Sequence, residues 1–154
     1  MERRDPKRIG ASLLREGIIS RTQMKEALEI RKKEGGFLGY ILVKRGFLPE
    51  EELAAHFVEE YGYPYLPLSH YEVNPETIKM IPKEIARKYL ILPIDKTGIL
   101  LTIAHASPLG TEVVEALKEL TKCSLTYYIS TISEIEKAID FYYRESKKEG
   151  TSPP

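Results

Sequence analysis

Apolar residues at the start of the chain recur at helical spacing in two matching stretches. The first, "RIGASLLREGII", begins at Arg8, and the second, "FLGYILVKRGFL", begins 29 positions later at Phe37. In each copy a short helix leads through a glycine, Gly17 or Gly46, to a longer amphipathic helix. Because one helical hairpin cannot bury its apolar face alone, the repeat predicts two hairpins that cover each other.

Capping residues set the boundaries of these helices. Ser20 followed by Gln23 is a capping-box pattern, and it predicts a second helix that ends near residue 33. A third helix is predicted from about Gly36 to Arg45, and Pro49 followed by three glutamates opens a fourth. Six matched apolar positions are predicted to form a shared core: Leu13, Met24, Leu28, Leu42, Leu53 and Phe57.

The second half of the chain predicts a small sheet covered by helices. Residues 61–75 are rich in proline and tyrosine and lack helical periodicity, so they predict a connection. Beyond it lie β-rich runs at 90–94, 98–105 and 124–130, of which the first two predict an antiparallel hairpin. Short helices are predicted from Asn74 and Pro82, a longer one from Thr111 to Thr121 with Val113, Val114, Leu117 and Leu120 inward, and a last one capped by Thr131.

These elements predict an α+β fold in which duplicated helical hairpins precede a three-stranded sheet covered by helices. Its predicted parts are a helical tandem-repeat subdomain, 1–62, a connection, 63–75, an α/β sandwich subdomain, 76–146, and a mobile tail, 147–154.

Charge is distributed unevenly between the two halves of the chain. Residues 1–48 carry a net charge of +6 and residues 49–154 carry −6. The positive charge of the first half would attract an anionic ligand or an acidic protein face. An ordinary solvated surface with unevenly distributed charge is the alternative. The sequence lacks an apolar run long enough to span a membrane and a signal peptide, so we expect a cytoplasmic protein without membrane insertion.

The sequence lacks a recognisable catalytic or metal-binding motif. His56, His70 and His105 are not at ligand spacing, and Cys123 is the only cysteine. Neither a phosphate-binding loop nor a dinucleotide fingerprint is present. We therefore expect a chain that is not an enzyme and holds no metal.

DNA binding is an alternative, because the first hairpin resembles a helix-turn-helix and the front half is basic. The second helix of this hairpin lacks the cluster of Asn, Gln and Arg that base edges require. The second copy of the repeat carries acidic residues at the same turn. We expect no binding to DNA.

The duplicated pattern resembles the N-terminal domain of type II secretion and type IV pilus assembly ATPases, called the MshEN or GspE N-terminal domain. Residues 81–94 and 100–121 also resemble the segment that follows in that family. The motif positions, which would bind a ligand in this family, are Arg8, Ile9, Gly10, Leu13, Gly17, Leu28 and Arg31 in the first copy and Phe37, Leu38, Gly39, Leu42, Gly46, Phe57 and Glu60 in the second.

The resemblance implies a non-catalytic regulatory and docking domain that binds the cytoplasmic part of an inner-membrane secretion or pilus protein. The protein would then be peripheral to the inner membrane, with its own C-terminal ATPase domain as a second candidate partner. An alternative is a cyclic di-GMP sensor, since a subset of the family binds that nucleotide through the tandem motif. Here Arg31 and Glu60 replace glutamine and Phe37 replaces the second arginine. We therefore expect the retained glycines and leucines to serve packing.

Overall fold

The computed structural model describes residues 9–145, in which helices are followed by a three-stranded sheet with helices around it. This arrangement confirms the predicted α+β fold. In chain order the elements are α1 (Ile9–Arg15), α2 (Arg21–Glu34), α3 (Leu38–Lys44), α4 (Glu50–Tyr61), a 3-10 turn (Leu68–His70), α5 (Pro75–Ile78), α6 (Lys83–Tyr89), β1 (Ile91–Thr97), β2 (Leu100–His105), α7 (Thr111–Thr121), β3 (Ser124–Ile129) and α8 (Ile132–Glu145).

The predicted capping box is present at the start of α2. The Gln23 backbone N–H donates to the Ser20 hydroxyl over 3.1 Å, and the Ser20 N–H donates to the Gln23 side chain over 2.9 Å. Helix α3 begins two residues later than predicted. Gly36 has a φ of +95° and Phe37 is extended, so neither continues as a helix.

The first helix of each copy ends in the same glycine turn. Gly17 and Gly46 have φ values of +71° and +78°. The N–H after each glycine donates five residues back, from Ile18 to the Leu13 carbonyl over 3.0 Å and from Phe47 to the Leu42 carbonyl over 2.9 Å. This is the Schellman pattern, in which a left-handed residue allows the last carbonyls of a helix to be satisfied.

The substitution Gly46→Ala is expected to lower the free energy of unfolding by about 1–2 kcal/mol, the cost of holding an L-residue in the left-handed region. An added Cβ at Gly46 would meet no atom within 4 Å, so the loss would come from the backbone. Urea denaturation measures it. Gly46→Asn is the control, because asparagine tolerates this conformation and should lose less; equal losses for both variants would contradict the explanation.

The sheet has the order β1-β2-β3, with β1 antiparallel and β3 parallel to β2. The first pair confirms the predicted hairpin, and α7 makes the crossover between β2 and β3. The connecting segment also reaches the sheet, because the Leu66 N–H donates to the Ile129 carbonyl and the Ile129 N–H donates to the Pro64 carbonyl, each over 2.8 Å. The domain boundaries at residues 62 and 75 stay a prediction.

Buried residues from both halves form one hydrophobic cluster, in which Leu13, Leu42 and Phe57 are 0% exposed. Two inward assignments were wrong. Leu28 is 39% exposed, since it lines an open groove on α2, and its neighbour Met24 in that groove is half-buried. Leu120 is 46% exposed, because it lies in the last turn of α7, past the buried Leu117.

Candidate functional site in the helical repeat

Two glycines of the repeat allow close contact between the helices of each copy. A Cβ added at Gly10 would lie 2.3 Å from the end of the Met24 side chain, and one at Gly39 would lie 3.0 Å from Leu53. Met24 and Leu53 occupy the same position of the two copies. At both positions a Cβ would crowd an apolar side chain of the neighbouring helix, so packing favours glycine in each copy of the motif.

Helix α1 of the first copy contacts α4 of the second through polar side chains. The Ser12 hydroxyl and the His56 ring nitrogen Nε2 share a buried hydrogen bond of 2.8 Å. Nearer the surface, the Arg15 guanidinium donates to the Glu60 carboxylate over 3.1 Å. Glu60, where the family motif has glutamine, is thus paired with a cation of the other copy.

The substitution Ser12→Ala is expected to lower the free energy of unfolding by about 1–3 kcal/mol, because it leaves the buried His56 ring without this partner. Chemical denaturation measures the loss. The double variant Ser12→Ala with His56→Leu removes both polar groups and should recover part of it. Additive losses in the double variant would contradict a coupled pair.

The second copy is held against α8 by three of its side chains. The Tyr40 hydroxyl and the Lys44 ammonium donate to the Glu136 carboxylate over 3.2 and 3.3 Å. Burial, followed by the nearby Glu136 charge, raises the pKa of Tyr40. The Glu50 carboxylate accepts from the Ser133 N–H over 2.8 Å in the first turn of α8. The second copy therefore carries a polar interface with the second half of the chain.

Phe37 adds an apolar side chain beside the same interface. It is half-buried against the core and lines a cleft together with Leu90 and Ile139, which belong to the second half. Tyr40 and Glu136 line that cleft as well. In this chain the residue at the position of the family's second arginine thus lines a cleft between the second repeat copy and the second half of the chain.

The structure buries seven of the fourteen predicted site residues. Arg8 lies outside the described residues. Leu28 is exposed, whereas Phe57 at the equivalent position of the second copy is fully buried, and Arg31 is half-buried on α2. The remaining predicted positions that the structure buries are Ile9, Gly10, Leu13, Leu38, Gly39 and Leu42.

Sequence reasoning missed the polar residues that join the parts of the chain, among them Ser12, Glu50 and Glu136. None of them stands in a motif, and their partners are 44 to 96 positions away along the sequence. His56 carried a weak signal, because a histidine interrupts the apolar face of α4. Such a histidine indicates a buried polar partner.

The histidine in the sheet is also structural. His105 is fully buried, its Nδ1 lies 2.6 Å from the Ser107 carbonyl oxygen, and its ring packs edge-on against Tyr63 at 4.6 Å between centroids. Within residues 9–145, no cluster of three or more His, Cys, Asp or Glu side chains is placed to hold a metal ion. In the same range, no helix is long and apolar enough to cross a membrane.

Comparison with known proteins identifies relatives among type IV pilus assembly ATPases. The type IV pilus assembly ATPase PilB of Myxococcus xanthus is 36% identical over 138 residues, which are 90% of this chain and 24% of the relative. PilB of Thermus thermophilus is 29% identical over 150 residues, 96% of this chain and 17% of the relative. The chain therefore spans about a quarter or less of the length of these relatives.

Solved structures of two related proteins have the same fold. The structure of MshE with cdg has a TM-score of 0.65 and 30% identity, and covers 87% of this chain and 97% of that one. The N-terminal domain of XpsE has a TM-score of 0.72 at 20% identity, covering 91% and 97%, which is a likeness of fold alone. Residues 61–149 match the model of the MshEN domain. Since this match includes more than half of the chain, the protein belongs to the MshEN family, the N-terminal domains of type IV pilus and type II secretion ATPases.

Proposed function

We propose that this domain is a non-catalytic regulatory and docking domain of a pilus or secretion ATPase, and that it binds the cytoplasmic part of an inner-membrane partner protein. One observation carries the proposal, namely that the two repeat copies differ in how far they pack against the rest of the chain. The second copy is engaged with the rest of the chain through Phe37, Lys44 and Glu50, whereas the first copy keeps an apolar face open.

The open face lies along α1 and α2. Leu28 is 39% exposed and lines a shallow groove together with the half-buried Leu14 and Met24. Charged side chains surround these apolar residues, including Arg21 and Lys25. An apolar centre inside a charged rim is the usual anatomy of a protein interface.

A domain with this function would lie in the cytoplasm and would be peripheral to the inner membrane through its partner. The domain's own ATPase region is a second candidate partner, since the curated relatives are ATPases several times longer than this chain. Both partners are proteins, and neither requires the domain to enter the membrane.

A retention assay tests the proposal with this chain immobilised and the cytoplasmic segment of the candidate membrane partner, encoded near the same gene, in solution. We expect the chain to retain the segment. An immobilised ATPase region of the parent protein is the comparison. Retention by the ATPase region and none by this chain would show that docking takes place elsewhere.

Cyclic di-GMP sensing is the second candidate function, and it is favoured by the 30% identity with MshE, whose structure contains cdg. Two of the altered motif residues oppose it. Phe37 lines a cleft together with residues of the second half of the chain, and Glu60 is paired with Arg15. We therefore expect weak or absent binding of the nucleotide.

A further inference from the structure

The repeat relates each surface residue of α2 to a residue of α4. Counting 29 positions forward, the stripe Arg21, Lys25, Leu28 and Lys32 on α2 corresponds to the stripe Glu50, Ala54, Phe57 and Tyr61 on α4. Both stripes follow helical spacing, so each forms one face of its helix. The two faces can therefore be compared position by position.

On α4 this face is covered by the second half of the chain. Phe57 is 0% exposed and Ala54 6%, Tyr61 is half-buried, and α4 packs near β3. At the start of the helix, Glu50 accepts from the Ser133 N–H in the first turn of α8. In the second copy the face is thus a docking surface for another structural unit of the same chain.

On α2 the equivalent face is uncovered, and its charge is reversed. Arg21, Lys25, Leu28 and Lys32 are all exposed. Over residues 9–145, the three cations of this stripe form no ion pair, and Glu29 is the carboxylate among the residues lining the groove. Where Glu50 faces the positive N-terminal end of a helix, Arg21 would favour a carboxylate or the negative C-terminal end of a helix.

We infer that this face of the first copy binds an acidic amphipathic helix of the partner protein. An apolar residue of that helix would cover Leu28, and its carboxylates would lie beside Arg21, Lys25 and Lys32. The three cations occupy both sides of Leu28 along α2, so an acidic helix with an apolar stripe is complementary to the face in charge and in polarity. This inference rests on the proposed docking function and names the surface that would perform it.

A model peptide tests the chemistry of this surface directly. The probe is an 18-residue helix-forming peptide with leucine at every third or fourth position and glutamate beside it, and the matched probe carries lysine in place of each glutamate. Both are titrated into the complete, ¹⁵N-labelled chain. We expect the acidic peptide to shift the amide signals of Met24, Lys25 and Leu28, to bind more weakly as salt is added, and to bind at least about tenfold more tightly than the basic peptide.

Variants at exposed positions separate this surface from others. Leu28→Asp should weaken binding of the acidic peptide by about tenfold, because it removes the apolar centre and adds a like charge. The double variant Lys25→Glu with Lys32→Glu should have a similar effect and carries the test if Leu28→Asp does not fold. Leu120→Asp is the matched control, since Leu120 is 46% exposed on α7, and it should leave the affinity unchanged.

Several outcomes would overturn the inference. These are equal binding of the basic peptide, signal changes confined to other elements, unchanged affinity of both α2 variants, and self-association of the chain through this face in sedimentation equilibrium. The retention assay separates the two proposals. If the Leu28→Asp chain still retains the membrane partner, the docking function stands and this surface is wrong; if the unaltered chain retains nothing, the docking function itself fails.

Discussion

The substitution Leu42→Ala is expected to lower the free energy of unfolding by about 2–5 kcal/mol, the range for large-to-small changes at fully buried sites. Leu42 is 0% exposed in α3, and its carbonyl also accepts the N–H that closes the Schellman turn. Removing its side chain leaves a cavity in the cluster that joins the helical repeat to the second half. Urea or guanidinium denaturation of the whole chain measures the change.

Leu28→Ala is the matched control for this prediction. The motif resemblance and the helical pattern assign Leu28 to the inward set together with Leu42, but it is 39% exposed. We expect a loss of only about 0.5 kcal/mol, typical of surface substitutions. A loss well under 1 kcal/mol for Leu42→Ala, or equal losses for both variants, would contradict the packing described for the repeat.

Local signals in the sequence predicted the elements of this fold well. The capping box of Ser20 and Gln23, the glycine turns, and the apolar runs of the hairpin each act within a few residues of one another. Such signals depend on backbone geometry and hydrogen bonding that the chain carries with it wherever the segment lies. They do not depend on what packs against the element.

The contacts of the helical repeat with the second half could not be predicted in this way. Leu28 and Phe57 occupy the same position of the repeat, yet one is exposed and the other is fully buried. Helix α4 packs near β3, and the Phe57 ring lies against Tyr61 of its own helix, whereas Leu28 on α2 lines an open groove. Repeat periodicity predicts equal burial, and the different surroundings of α4 and α2 remove that equality.

The different surroundings of the two repeat copies give a physical reason for the residues that depart from the family motif. The second copy faces the rest of the chain, so an apolar Phe37 has a place at that interface. Glu60 is also used within the chain, as the partner of Arg15 across the two copies. Arg31, the equivalent of Glu60, lies on the first copy, whose outer face is open. Which of the altered positions remain available to a ligand is therefore a property of the whole fold.

Isothermal titration of the chain with cyclic di-GMP is expected to detect weak binding or none. Phe37 has no guanidinium to donate to a guanine or a phosphate, and the Glu60 carboxylate would repel a phosphate. Each lost charge-assisted contact is worth roughly 1.5–3 kcal/mol. Two such losses weaken a micromolar site by about two to four orders of magnitude, at roughly 1.4 kcal/mol per tenfold change.

The positive control is MshE titrated under the same conditions, since its structure contains cdg. Rotation of side chains would not simply restore the nucleotide-binding site in this chain. Moving Phe37 outward would expose it and open the cleft that it lines with Leu90 and Ile139, and releasing Glu60 would break its ion pair with Arg15. A dissociation constant in the low micromolar range, abolished by Arg8→Ala, would contradict this prediction. That result would restore the nucleotide-sensing function, with Arg31 on the open first copy as the residue that replaces the missing polar group.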